Sequence, residues 1–315
     1  MNWQLDAVSQ AIPDLDFVTP ISDCPAPLLE YQAYYQLNLE DRVPGVFHHV
    51  GRFQCDEFEI VAHVFKVQSS KGTVFLHHGY YDHVGLFHHI IAHCLTQGFN
   101  VFAYDLPGHG LSSGERAAIQ CFQQYDKVFV AALEKMRQHL PAPYVAVGQS
   151  TGGAVIVNYH LSRGLSRHSS PFSAIHLLAP LVRPVSWRSA KLTYFLVRPF
   201  IKQLKRTFAK NSNNVAFLEF LSQRDPLQPL FLKTNWVGAL HLWIKFIEQC
   251  APVDLDVHVI QGTQDGTVDY RHNLKVLEEK FSGFKVNFIE GGRHHLANED
   301  PQYLNQVIDH LTPLL

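Results

Sequence analysis

Between Lys135 and Leu218 the chain has no aspartate or glutamate, although the 315 residues carry 28 acidic against 26 basic side chains overall. A formal net charge of −2 excludes the domain-wide basic excess that nucleic-acid partners usually draw on, and no nucleic acid is expected. Cysteine is sparse: Cys24, Cys55, Cys94, Cys121 and Cys250 are odd in number, widely spaced and without a Cys-x-x-Cys pair. That pattern points away from a disulfide framework and from a thiolate zinc site, towards reduced thiols. No run of about 18 residues is apolar and charge-free enough to cross a bilayer. Residues 1–17 hold three aspartates, no lysine or arginine and no continuous apolar core, so they do not read as a secretory signal; a soluble cytoplasmic protein is the expectation.

What is present is a large supply of core. With 46% apolar and 12% aromatic residues the chain suits one α/β domain carrying an insertion. Residues 1–45, rich in proline around Tyr31, Tyr34 and Tyr35, read as an irregular segment packed on the core. Two β-rich runs at 46–53 and 57–67 predict an antiparallel hairpin. Apolar strands are predicted at 73–79 and 100–108 with a helix over 86–97 between them, a right-handed parallel crossover. A helical pattern over 120–139 follows, then strands at 144–149, 174–179, 257–260 and 286–289. The expected architecture is a doubly wound α/β sheet of about eight strands, with ligands at the carboxyl ends of the parallel ones. The core comprises 46–180 and 250–315, and residues 181–249 form a helical, aromatic-rich insertion placed where a lid would sit.

The strand at 144–149 ends in Gly148-Gln149-Ser150-Thr151-Gly152, with a helical run immediately after. A strand turning straight into a helix forces the residue between them into a strained conformation, and flanking glycines remove the Cβ atoms that would clash. Ser150 would then stand at the sheet's carboxyl edge beside helix amides that have no intrahelical partner. A serine nucleophile needs a base and a group that orients it, arriving in strand-to-helix hydrolases in the order serine, acid, histidine. Asp265 follows the 257–260 strand, and Asp269 reads as the cap of the next helix. After 286–289 come His294 and His295; the residues alone leave the base between these two. Paired histidines at 48–49, 77–78 and 88–89 predict no metal, because adjacent strand residues face opposite ways; no cofactor is expected either.

Four segments together resemble the α/β-hydrolases, and more narrowly the monoacylglycerol lipase and lysophospholipase branch. They are His78-Gly79-Tyr80-Tyr81-Asp82-His83, the stretch from Asp105 through Gly108-His109-Gly110 to Arg116, the serine turn, and Glu290-Gly291-Gly292-Arg293-His294-His295-Leu296. The resemblance implies that His294 is the base, that the backbone amides of Tyr80 and Thr151 form an oxyanion hole, and that the insertion is the lid. It also implies a serine ester hydrolase acting on monoacyl lipids or related acyl esters through an acyl-enzyme on Ser150.

An amidase or aminopeptidase of the same fold would need a carboxylate for the free amine, and the insertion offers mainly Glu219 and Asp225. A non-catalytic relative would be marked by a missing triad member, and none is missing. The acid-free region around 187–210 interleaves Arg188, Lys191, Lys202, Lys205 and Arg206 with Trp187, Leu192, Phe195 and Phe200. Such a face is expected either to contact anionic membrane surfaces or to be a solvated cap lining the substrate pocket.

Overall fold

The computed structural model describes residues 4–18 and 24–312; residues 1–3 and 19–23 of the expected N-terminal segment, Pro20 among them, and 313–315 of the expected core lie outside the described residues. In chain order the strands are β1 (Phe47–Cys55), β2 (Phe58–Lys66), β3 (Thr73–His77), β4 (Asn100–Tyr104), β5 (Tyr144–Gln149), β6 (Ala174–Leu178), β7 (Gln203–Lys205), β8 (Phe231–Lys233), β9 (Val253–Gly262) and β10 (Phe281–Ile289). The α-helices are α1 (Leu5–Ala11), α2 (Ala26–Tyr34), α3 (His88–Thr96), α4 (Gln123–His139), α5 (Thr151–Arg163), α6 (Trp187–Val197), α7 (Val215–Gln223), α8 (Thr234–Gln249), α9 (Tyr270–Lys280) and α10 (Pro301–Leu311).

Eight strands make one sheet in the order β1-β2-β4-β3-β5-β6-β9-β10, and this is the α/β-hydrolase fold that the sequence resembles. β1 and β2 form the hairpin, closed at Asp56 with a positive φ of 47°, and β2 also pairs antiparallel with β4. All the other pairings are parallel. The central strands are apolar on both faces because helices cover both. Along β3, Val74 and Leu76 join a cluster with Val145, Val147 and Leu178, while Phe75 between them packs with Ala146 and Leu177 in the opposite layer. Strand order reverses beside β3, since β4 lies on one side and β5 on the other; a crevice is expected at the carboxyl ends there.

The N-terminal segment differs from the expectation of irregular chain. It contains α1 and α2, with Val8, Leu28 and Tyr31 fully buried in the same cluster as Val61 and Phe65 of β2. The prolines that argued against helix lie at helix ends: Pro13 follows α1, and Pro25 and Pro27 sit at the cap and in the first turn of α2, where a missing N–H costs nothing.

Between β6 and β9 the chain forms α6, the small antiparallel β7–β8 ribbon, α7 and α8. Tyr35 of the N-terminal segment ties to this insertion, donating from its hydroxyl to Asp225 Oδ1 at 2.6 Å. Tyr35→Phe is expected to lower stability by about 1 kcal/mol, because a buried carboxylate loses one of its donors. Urea unfolding of the variant against wild type measures this; an unchanged midpoint would show that the tie contributes nothing.

Candidate active site

Ser150 sits between β5 and α5 with φ 52° and ψ −113°, a conformation that side chains other than glycine's adopt only under constraint. The constraint is close packing. A Cβ on Gly148 would lie 2.7 Å from the Gly152 carbonyl carbon, and one on Gly152 would run into the carbonyl oxygens of His77 and His78 at the end of β3. The Ser150 N–H donates to Leu178 O at 2.9 Å, which fixes the turn to β6. Among the described residues, neither the Thr151 nor the Tyr80 backbone N–H donates to another protein group.

His294 comes to the serine from the loop after β10. The two are joined by a hydrogen bond between His294 Nε2 and Ser150 Oγ at 3.0 Å, and His294 Nδ1 lies 2.8 Å from Asp265 Oδ2. Asp265, in the loop after β9, also accepts from the amides of Thr267 at 2.8 Å and Val268 at 3.1 Å and from Gln261 Nε2 at 3.1 Å. Burial by itself would raise the Asp265 carboxyl, but the His294 charge and these donors outweigh it and hold the pKa below its ordinary value. Burial likewise pulls His294 down, and Asp265 reverses the sign, so the imidazole stands above its usual 6.5. With Asp265 as the acceptor, Nδ1 carries the proton and the Nε2 lone pair faces Ser150. Asp269 caps α9, accepting from His272 N.

His295 faces elsewhere. Its Nε2 lies 3.1 Å from Asp82 Oδ1, a second buried imidazole–carboxylate pair one residue from the first. Burial opposes the Asp82 charge, but His295 and Arg206 hold its carboxyl down to about 2. Asp82 is not singled out by sequence order, because it lies more than 200 residues from its partner.

The other resemblance segments hold the scaffold. Asp105, fully buried, accepts from Val84 N and Leu111 N, both at 2.8 Å, so one carboxylate joins the loop after β3 to the loop after β4. His78 donates from Nδ1 to Gly79 O at 2.8 Å and accepts the Leu106 N–H at Nε2; burial pushes its pKa down to about 3, and it stays neutral. Glu299, which sequence reasoning missed, accepts from Arg293 N at 2.6 Å and Asn213 N at 2.7 Å, stitching the His294 loop to the insertion. Asp225 is saturated by His83, Tyr35, Gln228 and the Leu227 amide, with its side chain fully buried. It lies outside the cavity at Ser150.

That cavity has a volume of about 320 Å³, and its lining includes the apolar side chains of Leu181, Trp187, Trp236 and Leu240. Tyr80 stacks on Trp236 with ring centroids 3.7 Å apart, so the insertion roofs the loop that carries the Tyr80 amide. A second depression of about 440 Å³, between Tyr34 and Phe220, does not reach Ser150. Of the two expectations for the 187–210 face, Trp187 meets the one of a cap lining the pocket: it is only 8% exposed and lines the cavity at Ser150, and Arg206 is likewise turned inward against Tyr81. Among the described residues no group of three or more His, Cys, Asp or Glu side chains could hold a metal ion.

The family model described as serine aminopeptidase, S33, matches residues 68–301. Rat monoglyceride lipase is 25% identical over 248 residues, 76% of this chain and 80% of its own. Caffeoylshikimate esterase of Arabidopsis thaliana is 35% identical over 257 residues, 76% of this chain and 75% of its own. Among solved structures, the monoglyceride lipase of Saccharomyces cerevisiae aligns with a TM-score of 0.70 at 18% identity, over 83% of this chain and 92% of that one. The monoacylglycerol lipase of Paleococcus ferrophilus aligns with 0.68 at 19% identity, over 82% and 100%. At these identities the structural matches speak to the fold.

A fluorophosphonate should label Ser150 at a rate that rises with pH through one ionisation above 6.5, the ordinary histidine value, because only neutral His294 can take the serine proton. His294→Ala should abolish labelling, and His295→Ala should leave it within about tenfold of wild type. Loss in His295→Ala alone would move the base to His295.

Proposed function

The chain belongs to the serine aminopeptidase S33 family of α/β-hydrolases, and from that premise we propose that it is a serine ester hydrolase acting on monoacyl lipids or related acyl esters. One observation carries the reading: the continuous line from Asp265 through His294 to Ser150, with separations of 2.8 and 3.0 Å, at a turn the fold strains to present the serine. In the proposed reaction the Ser150 hydroxyl attacks the ester carbonyl carbon while its proton passes to His294 Nε2. The Tyr80 and Thr151 amides receive the oxyanion, and Asp265 stabilises the imidazolium and keeps its tautomer. His294 then returns the proton to the leaving alcohol oxygen, the carbonyl reforms, and an acyl-enzyme remains. Water, deprotonated by the same histidine, releases the acid.

The acyl chain goes to the apolar part of the lining, Trp187, Trp236 and Leu240, with residues 181–249 acting as the lid. The names of the lipase and esterase relatives agree with an ester substrate. An aminopeptidase would need a carboxylate facing the bound amine. Asp225 is buried and saturated, Glu219 is exposed on α7 away from the cavity, and Asp82, the carboxylate in the cavity lining, is already paired with His295.

Ser150→Ala should lower hydrolysis of p-nitrophenyl esters by about 10⁴-fold or more without changing the fold. Across a chain-length series kcat/KM should rise with acyl length until the cavity is filled. Full activity in Ser150→Ala would discard the mechanism.

The lid also offers a membrane-facing surface, on which Leu192, Leu196 and Phe200 are 64, 66 and 87% exposed beside Lys202 and Lys205. Attraction to anionic lipid amounts to about 1 kcal/mol for each lysine near the surface and is screened over a Debye length of about 8 Å at physiological salt. Co-sedimentation with anionic vesicles should therefore weaken as salt rises and in the Lys202→Gln/Lys205→Gln double variant. Equal retention on neutral vesicles at any salt would remove the membrane role.

A further inference from the structure

The insertion leaves the core and returns to it over one helix, α9. At the return, Lys280 Nζ donates to Glu248 O at 2.9 Å and to Cys250 O at 2.6 Å. Glu248 Oε1 meets Arg183 Nη2 at 2.6 Å and His272 Nε2 at 3.0 Å, so the two ends of the insertion are also joined to each other. At the departure the hold is on the main chain. Asn273, in the first turn of α9 and only 1% exposed, donates from Nδ2 to Pro180 O at 3.1 Å and to Arg183 O at 3.2 Å, and its Oδ1 accepts the Arg183 N–H at 2.8 Å. Residues 180–183 follow the end of β6, and one side-chain amide supplies the bonds that a neighbouring strand would give them.

That hold bears on the acid of the triad. From Arg183 the chain runs antiparallel to the loop after β9: Asp269 N donates to Arg183 O at 2.9 Å, Pro184 pairs with Val268, and Val185 N donates to Thr267 O at 3.0 Å. The Thr267–Val268 peptide is thus bonded on both edges. Its oxygen takes the Val185 N–H, while its own N–H, the Val268 amide, donates to Asp265 Oδ1 at 3.1 Å. In a planar trans peptide these two groups point opposite ways, so fixing one aims the other. The Thr267 amide adds a second bond to the same carboxylate oxygen at 2.8 Å. Leu181, inside the segment that Asn273 grips, donates its N–H to Ser150 O at 3.1 Å. We infer that Asn273 is a positioning residue of the triad: by fixing the start of the insertion it holds the Thr267 and Val268 amides on Asp265, and through Asp265 it sets His294. The inference rests on the ester-hydrolase reading above. Asn273 itself does not line the cavity and acts only through these bonds.

The test is the pH dependence of fluorophosphonate labelling at Ser150, together with kcat and KM for p-nitrophenyl butyrate, in wild type, Asn273→Ala, Asn273→Ser and Glu248→Ala. Circular dichroism melts check folding. Burial pulls the His294 pKa down and Asp265 holds it up, so a carboxylate that loses its two amides and shifts from the imidazole leaves burial to act. Asn273→Ala should lower kcat by about 10- to 100-fold with little change in KM, as a misplacement on the order of 1 Å does. It should also move the labelling midpoint to lower pH by about half a pH unit or more. Asn273→Ser, whose neutral hydroxyl can restore one bond, should fall between, and it takes the place of the alanine variant if that one does not fold. Asp82, Tyr80 and Tyr81 in the loop after β3, His295 beside the base and Arg206 in the insertion also face this space, and none of the variants alters them. Glu248→Ala frees the Arg183 and His272 side chains, leaves the Asn273 bonds in place and should keep the wild-type midpoint. A loss of folded protein lowers the labelling plateau without moving its midpoint. An unmoved or raised midpoint in Asn273→Ala, or in Asn273→Ser where it stands in, overturns the inference. So does an equal downward move in Glu248→Ala, since any loosening of the insertion would then suffice. Failure of the ester-hydrolase reading looks different: wild type itself would hydrolyse no ester, or activity would persist in Ser150→Ala.

Discussion

The positive φ of Ser150 is the constraint on which the remainder of the site depends. No serine adopts that conformation for its own sake; it is imposed by α5 lying so close to the end of β3 that Gly152 has no room for a side-chain carbon next to the His77 and His78 carbonyls. The strain is offset by packing on both faces of the sheet and by the hydrogen bond from Ser150 N to Leu178 O. Three consequences follow from that one close approach. The hydroxyl projects from the carboxyl edge, the first amides of α5 face the same space, and the loop after β3 is held against the serine, so that a Cβ on Gly79 would come within 3.3 Å of the Ser150 Cβ.

Electrostatics then separates histidines that look alike in the sequence. His77 is buried against Phe75, Tyr104 and Phe129, with neither ring nitrogen bonded among the described residues, and burial keeps it neutral. His78, one residue on, is kept neutral by burial, with backbone groups holding both its nitrogens. His83 and His294 are equally buried but stand above their ordinary value, because each faces a carboxylate that outweighs desolvation. A carboxylate partner, rather than exposure, distinguishes a histidine able to exchange a proton from one that fills space.

The insertion contributes more than cover. Trp236 stacks on Tyr80, Asn213 bonds the Gly291 carbonyl in the His294 loop, and Asp225 binds His83 and Tyr35 from two other parts of the chain. The same buried network that fastens the insertion therefore reaches the Arg206 guanidinium in the cavity, through Gln228. Movement of residues 181–249 would change the surroundings of the Tyr80 loop and of Arg206 together.

Sequence by itself determined the sheet and the order of its chemistry. Short apolar runs bounded by glycine and proline specify strands locally, so all eight were legible, as were the serine turn and the loops carrying Asp265 and His294. Local sequence also marked Asp269 as a cap, since capping involves neighbours only three residues apart. It misjudged residues 1–45, where prolines at helix ends and helix breakers look the same until the packing of Val8, Leu28 and Tyr31 is known. From residues alone the choice between His294 and His295 stayed open, because which of two adjacent imidazoles meets Ser150 and which meets Asp82 depends on chain segments more than 140 residues away. For the same reason the sequence left the face at 187–210 between a membrane contact and a pocket lining, and only the tertiary structure turned Trp187 and Arg206 into the cavity. Charge and hydropathy are written in the chain, but the direction a side chain faces is decided by what folds against it.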